Sequence, residues 1–434
     1  MSGECAPELA PVRAEFLALY AENRERGSQL AVALASGRVA LDLAGGRDAD
    51  VASHHDKLTL LFSSTKVVES LVVAMLADRG LLDLDAPLQR YVPEFHSSLV
   101  AVSDVMRYRA GAACPDRALY PHEAMEMLSD PLKTRDFVVN HLSREFDPKR
   151  PRRMYYHPFT RGLIVSVLVH AVAGVTTDEF VQRHVVAPLR EKHRSSGKLV
   201  EFHVGCPPDK QGRVVESEPH RSLLKTGAQI ALHRLGVVDW LLRPADEAAR
   251  KAFHWDWLHA SEADAMLRIA KPRGSHRRAL KFIRGVRLGT HNLANSRDFR
   301  ALPLSSSCGV SNAVSMALIL AELAAGGGVL LSPNGFAKAM EVDGPTMDGF
   351  ARQPFTITAA GWCTDIVPED HRGDLWVGWC GAGGSVSCFS PKLRAAMCYL
   401  PSRLDERVFY PNGFRMAEAV AAALGGAQHQ VAKL

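Results

Sequence analysis

The sequence has few of the patterns that mark metal-bound, disulfide-linked or repetitive proteins. Its 434 residues contain no C-x-x-C pair and no His/Cys spacing typical of zinc sites, which excludes a structural zinc module. No internal repeat is evident. The histidines, including His54, His55 and His122, follow no ligand spacing, so we expect no metal and no cofactor. The cysteines are expected to be reduced and mostly buried, at positions 5, 114, 206, 308, 363, 380, 388 and 398.

Segments that would target the chain or place it in a membrane are also lacking. The N-terminus carries Glu4 and Glu8 where a signal peptide would be basic, and no long apolar run follows, so we expect a cytoplasmic protein. The stretch 313–331 comes nearest to a membrane span, but it contains Glu322 and three consecutive glycines, 326–328. A buried helix with a glycine-rich end explains this stretch better.

The chain has no strong excess of one charge. The net charge is +5, with 23% charged and 47% apolar residues, which is ordinary for a globular protein. Two basic clusters stand out, at 149–153 and 271–287, and neither has the interleaved aromatic residues that single-stranded nucleic acid needs. We interpret them as solvated surface. The alternative is a surface for phosphates, an acidic protein partner or a second copy of the chain.

Strand candidates lie near both ends of the chain, and helical patterns dominate between them. The strand candidates are residues 29–36, 38–43, 375–379, 385–389 and 394–400. Helices are predicted over 12–26 and about 414–424. We therefore predict a single α+β domain, 1–434, with one sheet built from both termini. Its sheet lobe would comprise 1–62 and 300–434, and the inserted helical lobe would comprise 63–299.

The most informative stretch is Ser63-Ser64-Thr65-Lys66, at the start of the apolar run 67–82. In a helix, residues i and i+3 are neighbours, with Cβ atoms roughly 5–6 Å apart. Lys66 could take the proton of Ser63, while the helix N-terminus favours the negative charge that develops during attack on a carbonyl. This is the S-x-x-K arrangement of serine β-lactamases and penicillin-binding proteins.

The same spacing occurs twice more in the chain, so its context has to decide. The stretch Ser195 to Lys198 contains a glycine and has no apolar helix behind it, which predicts a solvated loop. The stretch Ser222 to Lys225 opens an amphipathic segment, but nothing strand-like precedes it. Only Ser63 is followed by good helix formers and a defined stop, with Pro87 just beyond.

Longer segments resemble the class C β-lactamase-related serine hydrolases, in particular their esterase branch. Residues 61–68, 82–95 and 102–111 are each similar to landmarks of that family, although Tyr108 stands where a histidine is usual. The resemblance covers most of the chain. It implies a β-lactamase/DD-peptidase-like fold, with an antiparallel sheet flanked by helices, and an acyl-enzyme at Ser63.

The second motif of that family supplies a tyrosine from the helical lobe. The match here is Tyr156-His157-Pro158-Phe159-Thr160, in the Y-H-x-x-T form of many esterase relatives. A phenol near a lysine ammonium loses its proton more easily, so Tyr156 would shuttle protons between the serine and the leaving group. Tyr155 is the alternative, although we expect it to pack.

The third motif lies on an edge strand in the family, and the glycine-rich stretch 378–385 resembles it. Lys225-Thr226-Gly227 matches the letters but comes too early in the chain. Glycines let a substrate approach the strand closely. The resemblance implies that the backbone N–H groups of Ser63 and Ala382 form an oxyanion hole.

The same stretch carries the substrate-binding candidates Trp379, Cys380 and Gly381. Trp379 replaces the lysine or histidine with which relatives grip a substrate carboxylate. A neutral indole cannot pair with that carboxylate, so we expect small neutral esters or amides in preference to β-lactams. The alternative function is a catalytically retired relative that serves as an assembly component, which the departures at Tyr108, Pro158 and Trp379 would favour.

Overall fold

The computed structural model describes residues 2–46, 56–151, 153–219, 283, 290–351, 353–364, 366–367, 375–404 and 411–431. Several sequence predictions fall outside these residues. They concern His54 and His55, the motif-like stretches at 222–227, and the basic cluster 271–287 apart from Ile283. The described residues of the other basic cluster, 149–151 and 153, are exposed, as expected of solvated surface.

The main sheet has six strands and draws on both ends of the chain. All neighbouring pairs in it are antiparallel. From one edge to the other the strands are Ser2–Cys5, Val39–Gly46, Gly27–Leu34, Ala395–Pro401, Val386–Ser390 and Val377–Cys380. The predicted sheet is therefore confirmed, and the ends of each predicted strand lie within three residues of the observed ends. The strand Ser2–Cys5, which pairs with Val39–Gly46, was not predicted.

The hairpin at the N-terminus turns where the sequence indicates. The Gly37 N–H donates to the Leu34 carbonyl at 2.8 Å, and Gly37 has a φ of +85°, which glycine adopts without strain. Every residue of Ala395–Pro401 is buried, so both faces of the central sheet are covered. The N-terminal helix Ala10–Ala21 packs against the C-terminal helix Pro411–Val431, which itself packs on this strand.

The apolar stretch that begins at residue 313 forms a buried helix, Ala313–Ala324, which packs on the sheet. The Asn312 side chain caps it by accepting from the Ser315 N–H at 2.8 Å. Its buried Glu322 pairs with Lys192. Among the described residues, no single helix is long and apolar enough to cross a membrane. The bent pair Thr160–Ala173 and Thr177–Lys192 is long and apolar enough only when its two helices are taken together.

Helices dominate the middle of the chain, as predicted. They are Lys66–Asp78, Val102–Met106, Pro121–Leu128, Pro131–Asn140, Thr160–Ala173, Thr177–Val181, Ala187–Lys192, Thr290–Asn295 and Arg297–Ala301, with Pro333–Ala339 later. A small antiparallel sheet joins Thr59–Leu60, Gly309–Ser311 and Phe202–Val204. The division into lobes at residues 62 and 300 stays a prediction.

Candidate active site

The first motif forms a tight turn in front of a helix that is buried from residue 66 to residue 76. Residues Phe62–Thr65 form a 3-10 turn that runs into the helix Lys66–Asp78, where the sequence predicted a helix opened by Ser63 with the apolar run 67–82 behind it. Phe62 has a φ of +47°, a strained value for a bulky residue, and such strain clusters at functional sites. The Thr65 hydroxyl holds the turn by accepting from the Gly309 N–H at 2.9 Å. Ser63 is half-buried, whereas Ser64 is fully buried.

The structure brings the three predicted catalytic side chains together. The Tyr156 hydroxyl lies 2.7 Å from Ser63 Oγ, and Lys66 Nζ lies 3.4 Å from the same oxygen. The Tyr156 backbone N–H donates to the buried Asp348 carboxylate at 2.7 Å, which fixes the start of the second motif. Tyr155 instead stacks edge-on against Phe350. The geometry therefore favours Tyr156 over the alternative tyrosine.

Lys66 is buried, and the hydrogen-bond partners of its Nζ are all neutral oxygens. Besides Ser63, it contacts the Pro158 and Ser306 carbonyls, each at 2.8 Å. Burial lowers the pKa of Lys66 well below its ordinary value, and this outweighs the opposing effect of Glu69. A neutral amine has two N–H bonds for the two carbonyls and one lone pair, which is left for Ser63. Pro158, which departs from the Y-x-N form, thus contributes its backbone oxygen.

The pKa of Tyr156 is shifted in the direction opposite to the one predicted from the sequence. From the sequence, a lysine ammonium beside this phenol is expected to lower its pKa. In the structure burial raises the pKa of Tyr156, although the hydrogen bond with Ser63 and the charge of Arg161 oppose the change. Tyr156 is thus a neutral phenol, able to donate a proton. A buried Lys66 cannot stabilise a phenolate if it is itself uncharged.

The third motif closes against the nucleophile turn. The Trp379 ring stacks on Tyr156 with centroids 5.7 Å apart, and only 7% of the residue is exposed. A Cβ atom on Gly381 would lie 2.2 Å from the Leu61 carbonyl oxygen, so only glycine lets the strand end approach this closely. Cys380 is half-buried, and burial raises its pKa to about 11.

Ala382 follows in the turn after the edge strand, partly exposed. Its position beside the nucleophile turn is compatible with the oxyanion hole that it would form with Ser63, and this pairing stays a prediction. No group of three or more His, Cys, Asp or Glu residues that could hold a metal occurs in the described part of the chain. All eight cysteines are free thiols and six are buried, as expected.

Sequence reasoning missed a charged pair behind the site. Arg161 and Glu69 are both fully buried, and Arg161 Nε lies 2.7 Å from a Glu69 carboxylate oxygen. Arg161 also donates to the Tyr108 hydroxyl at 2.7 Å, at the position where relatives have histidine. One feature of the sequence could have indicated this pair. Both charged residues lie within or next to apolar runs, close in sequence to the predicted catalytic residues.

His157, inside the second motif, is also buried. Its Nδ1 contacts the Tyr155 carbonyl at 2.6 Å, and burial lowers its pKa to about 3. A histidine with so low a pKa is neutral at physiological pH. It therefore supports the motif backbone and brings no charge to the site.

A Ser-x-x-Lys turn at the start of a buried helix, set against the edge of an antiparallel sheet and joined by a tyrosine from the helical region, is typical of β-lactamase-like proteins. The model of the Beta-lactamase family matches residues 13–421. This chain belongs to that family.

The chain is also similar in sequence to a curated protein, the esterase/beta-lactamase LipL of Mycobacterium tuberculosis. It is 29% identical over 225 residues, which cover 49% of this chain and 47% of the relative. The match thus spans about half the length of that protein.

Solved structures share the fold over nearly the whole chain. A family VIII carboxylesterase is 22% identical, with a TM-score of 0.72, and covers 97% of this chain and 99% of its own. EstA from Arthrobacter nitroguajacolicus Rue61a is 21% identical, with a TM-score of 0.71 and coverages of 98% and 100%. A penicillin-binding protein homologue from Caulobacter crescentus is 21% identical, with a TM-score of 0.69 and coverages of 97% and 99%.

Proposed function

We propose that this protein is a serine hydrolase that forms an acyl-enzyme on small, uncharged esters. One observation carries the proposal: Ser63 Oγ lies between a neutral phenol at 2.7 Å and a buried lysine amine at 3.4 Å. These are the groups that a hydroxyl nucleophile needs, a base to take its proton and a donor for the leaving group. The names of LipL and of the carboxylesterase neighbour agree with this reaction class.

In the acylation step, Ser63 Oγ attacks the ester carbonyl carbon and its proton passes to Lys66. The tetrahedral oxyanion is held by the N–H groups of Ser63 and Ala382, each donor typically contributing a few kcal/mol to lowering the barrier. As the bond to the alcohol breaks, Tyr156 protonates the departing oxygen. The ammonium of Lys66 then returns a proton to the Tyr156 phenolate, so that both groups are ready for the next step.

Deacylation repeats these steps with water as the nucleophile. Lys66 takes a proton from the water as its oxygen attacks the acyl carbon, and Tyr156 gives its proton to Ser63 Oγ as that oxygen leaves. The Lys66 ammonium then returns a proton to the Tyr156 phenolate. An alcohol or amine in place of water would give acyl transfer, and an amide substrate would follow the same route. No metal ion or cofactor takes part in the proposal.

The preference for an uncharged substrate rests on Trp379. Its indole occupies the position from which relatives offer a cation, and it packs on Tyr156 as a neutral wall. A substrate carboxylate placed there would lose water without gaining an ion pair, which is unfavourable. We therefore expect faster turnover of nitrophenyl butyrate than of the β-lactam nitrocefin.

Turnover of these two substrates by the purified protein and by Ser63→Ala tests the proposal. Wild type should hydrolyse the ester, and Ser63→Ala should be inactive while still folded. Ser195→Ala is the matched control, because this serine has the same S-x-x-K spacing but lies in an exposed loop after Lys192, as the sequence predicted. Efficient nitrocefin hydrolysis would overturn the ester preference. Turnover of neither substrate would favour the alternative role as an assembly component.

A further inference from the structure

The buried pair of Arg161 and Glu69 lies directly behind the catalytic groups and has no part in the steps above. Its side chains have no exposed surface. Removing two charges from water is costly, and a buried pair is tolerated when its remaining hydrogen bonds are satisfied. Here they are: besides Glu69, Arg161 donates to Tyr108 Oη at 2.7 Å, the Gly361 carbonyl at 3.1 Å and Ser70 Oγ at 3.3 Å.

Arg161 connects the helix of Lys66 to the aromatic side chains around Tyr156. Its Nη2 donates to the Lys66 backbone carbonyl at 3.2 Å. The Tyr108 ring that it holds meets Tyr156 edge-on, with centroids 5.1 Å apart, and lies 5.4 Å from Trp379. Tyr108 also has a φ of +60°, so its place is imposed by its surroundings.

Glu69 makes the corresponding connection on the other side of Lys66. It accepts from Ser305 Oγ at 3.0 Å. The next residue, Ser306, offers the carbonyl that holds Lys66 Nζ at 2.8 Å. The pair therefore contacts residues that hold both Lys66 and Tyr156 in position.

We propose that Arg161 and Glu69 act as positioning residues for the hydrolase reaction, which hold Lys66 and Tyr156 in place and balance the charge around the Lys66 amine. This inference rests on the proposed function. The two residues contact no reacting atom, so they act through Lys66 and Tyr108.

The charges of the pair oppose each other at Lys66. Glu69 raises the pKa of Lys66 and Arg161 lowers it, both against the larger lowering by burial. In the described part of the chain, the titratable groups that face Lys66 are Glu69, Arg161, Cys308, Cys380, the neutral His157 and, through its ring at 5.0 Å, Tyr156. If one member of the pair is removed, the charge of the other shifts the pKa of Lys66 without compensation. If both are removed, the two opposite effects on this pKa are lost together.

The test is the pH dependence of kcat/KM on nitrophenyl butyrate. In Arg161→Met the unopposed carboxylate favours the Lys66 ammonium, so the acidic limb of the profile should move up by about 1–3 pH units. On the acidic limb itself the rate at a given pH should then fall by about tenfold for each pH unit of the shift, and it should recover as the pH rises. In Glu69→Gln the limb should move down or stay. In the double variant Arg161→Met/Glu69→Met it should return towards wild type.

Arg161→Lys is the conservative control, because it keeps the charge and should keep the limb near its wild-type position. Thermal unfolding identifies the variants that are folded at the assay temperature. If Arg161→Met is not folded, Glu69→Gln and the double variant still test the inference, because a limb that moves up in either of them would overturn it. An equal loss of rate at every pH in all variants would show a merely structural role and overturn the inference. A failure of the proposed function differs from this, because wild type itself would then lack turnover.

Discussion

Replacing Lys66 by methionine separates the catalytic use of its amine from any contribution to stability. The variant keeps most of the side-chain volume and removes the base 3.4 Å from Ser63 Oγ. General-base catalysis contributes about 10²- to 10⁴-fold, so kcat/KM on nitrophenyl butyrate should fall by that factor, roughly 3–5 kcal/mol in the barrier.

The free energy of unfolding should change far less. The variant loses hydrogen bonds to the Pro158 and Ser306 carbonyls, each contributing roughly 0.5–1.5 kcal/mol, but it no longer buries an amine that only neutral oxygens contact. We expect a net change within about 2 kcal/mol at pH 7, since the two effects oppose each other.

The pH dependence gives a second signature. Because the pKa of folded Lys66 lies below 10.5, the unfolded state binds more protons between these two values. Wild-type stability should therefore rise with pH through that window, and Lys66→Met should lack this contribution.

The assays are ester turnover and urea unfolding, followed by tryptophan fluorescence at several pH values. Lys198→Met is the matched control, because Lys198 has the same spacing from Ser195 and pairs with Asp42 at 3.0 Å, away from Ser63. It should keep full activity. Activity of Lys66→Met within a few-fold of wild type would refute the role of the amine. A large loss of stability would show that Lys66 is chiefly structural.

Three further predictions follow from the same contacts. Tyr156→Phe should lower turnover by orders of magnitude, and combining it with Lys66→Met should be little worse than either, because the two handle the same protons. Gly381→Ala should abolish turnover, because its Cβ would lie 2.2 Å from a backbone carbonyl of the nucleophile turn, whereas the exposed Gly212→Ala should not. Burial raises the pKa of Glu25 from 4.5 to about 7, so the folded state holds a proton that the unfolded state gives up. Stability should thus fall as pH rises through this range, and Glu25→Gln should show a smaller fall of the melting temperature between pH 5 and 8.

Much of the sheet could be predicted because its signals are local. The turn at Gly37 and the short apolar strands near the C-terminus are set by neighbouring residues. The strand Ser2–Cys5 has no such signal. It forms because Val39–Gly46 offers it a free edge, and that edge exists only after the hairpin has joined the sheet.

In the active site, too, local patterns could be predicted and long-range contacts could not. Motif spacing, the context of each motif and the family resemblance were together enough to choose Ser63, Lys66 and Tyr156, which the structure brings together. The raised pKa of Tyr156 and the pairing of Arg161 with Glu69 depend on burial and on a contact across 92 positions, which spacing cannot give.

The most direct test of the proposed mechanism is to find which residue a covalent serine-hydrolase inhibitor modifies. The protein is treated with a fluorophosphonate, digested, and its peptides are sequenced by mass spectrometry. We predict one adduct, on Ser63, which forms more slowly as the pH falls and Lys66 becomes protonated, and which is lost in Ser63→Ala. An adduct on any other serine, or none on a folded protein, would contradict the account.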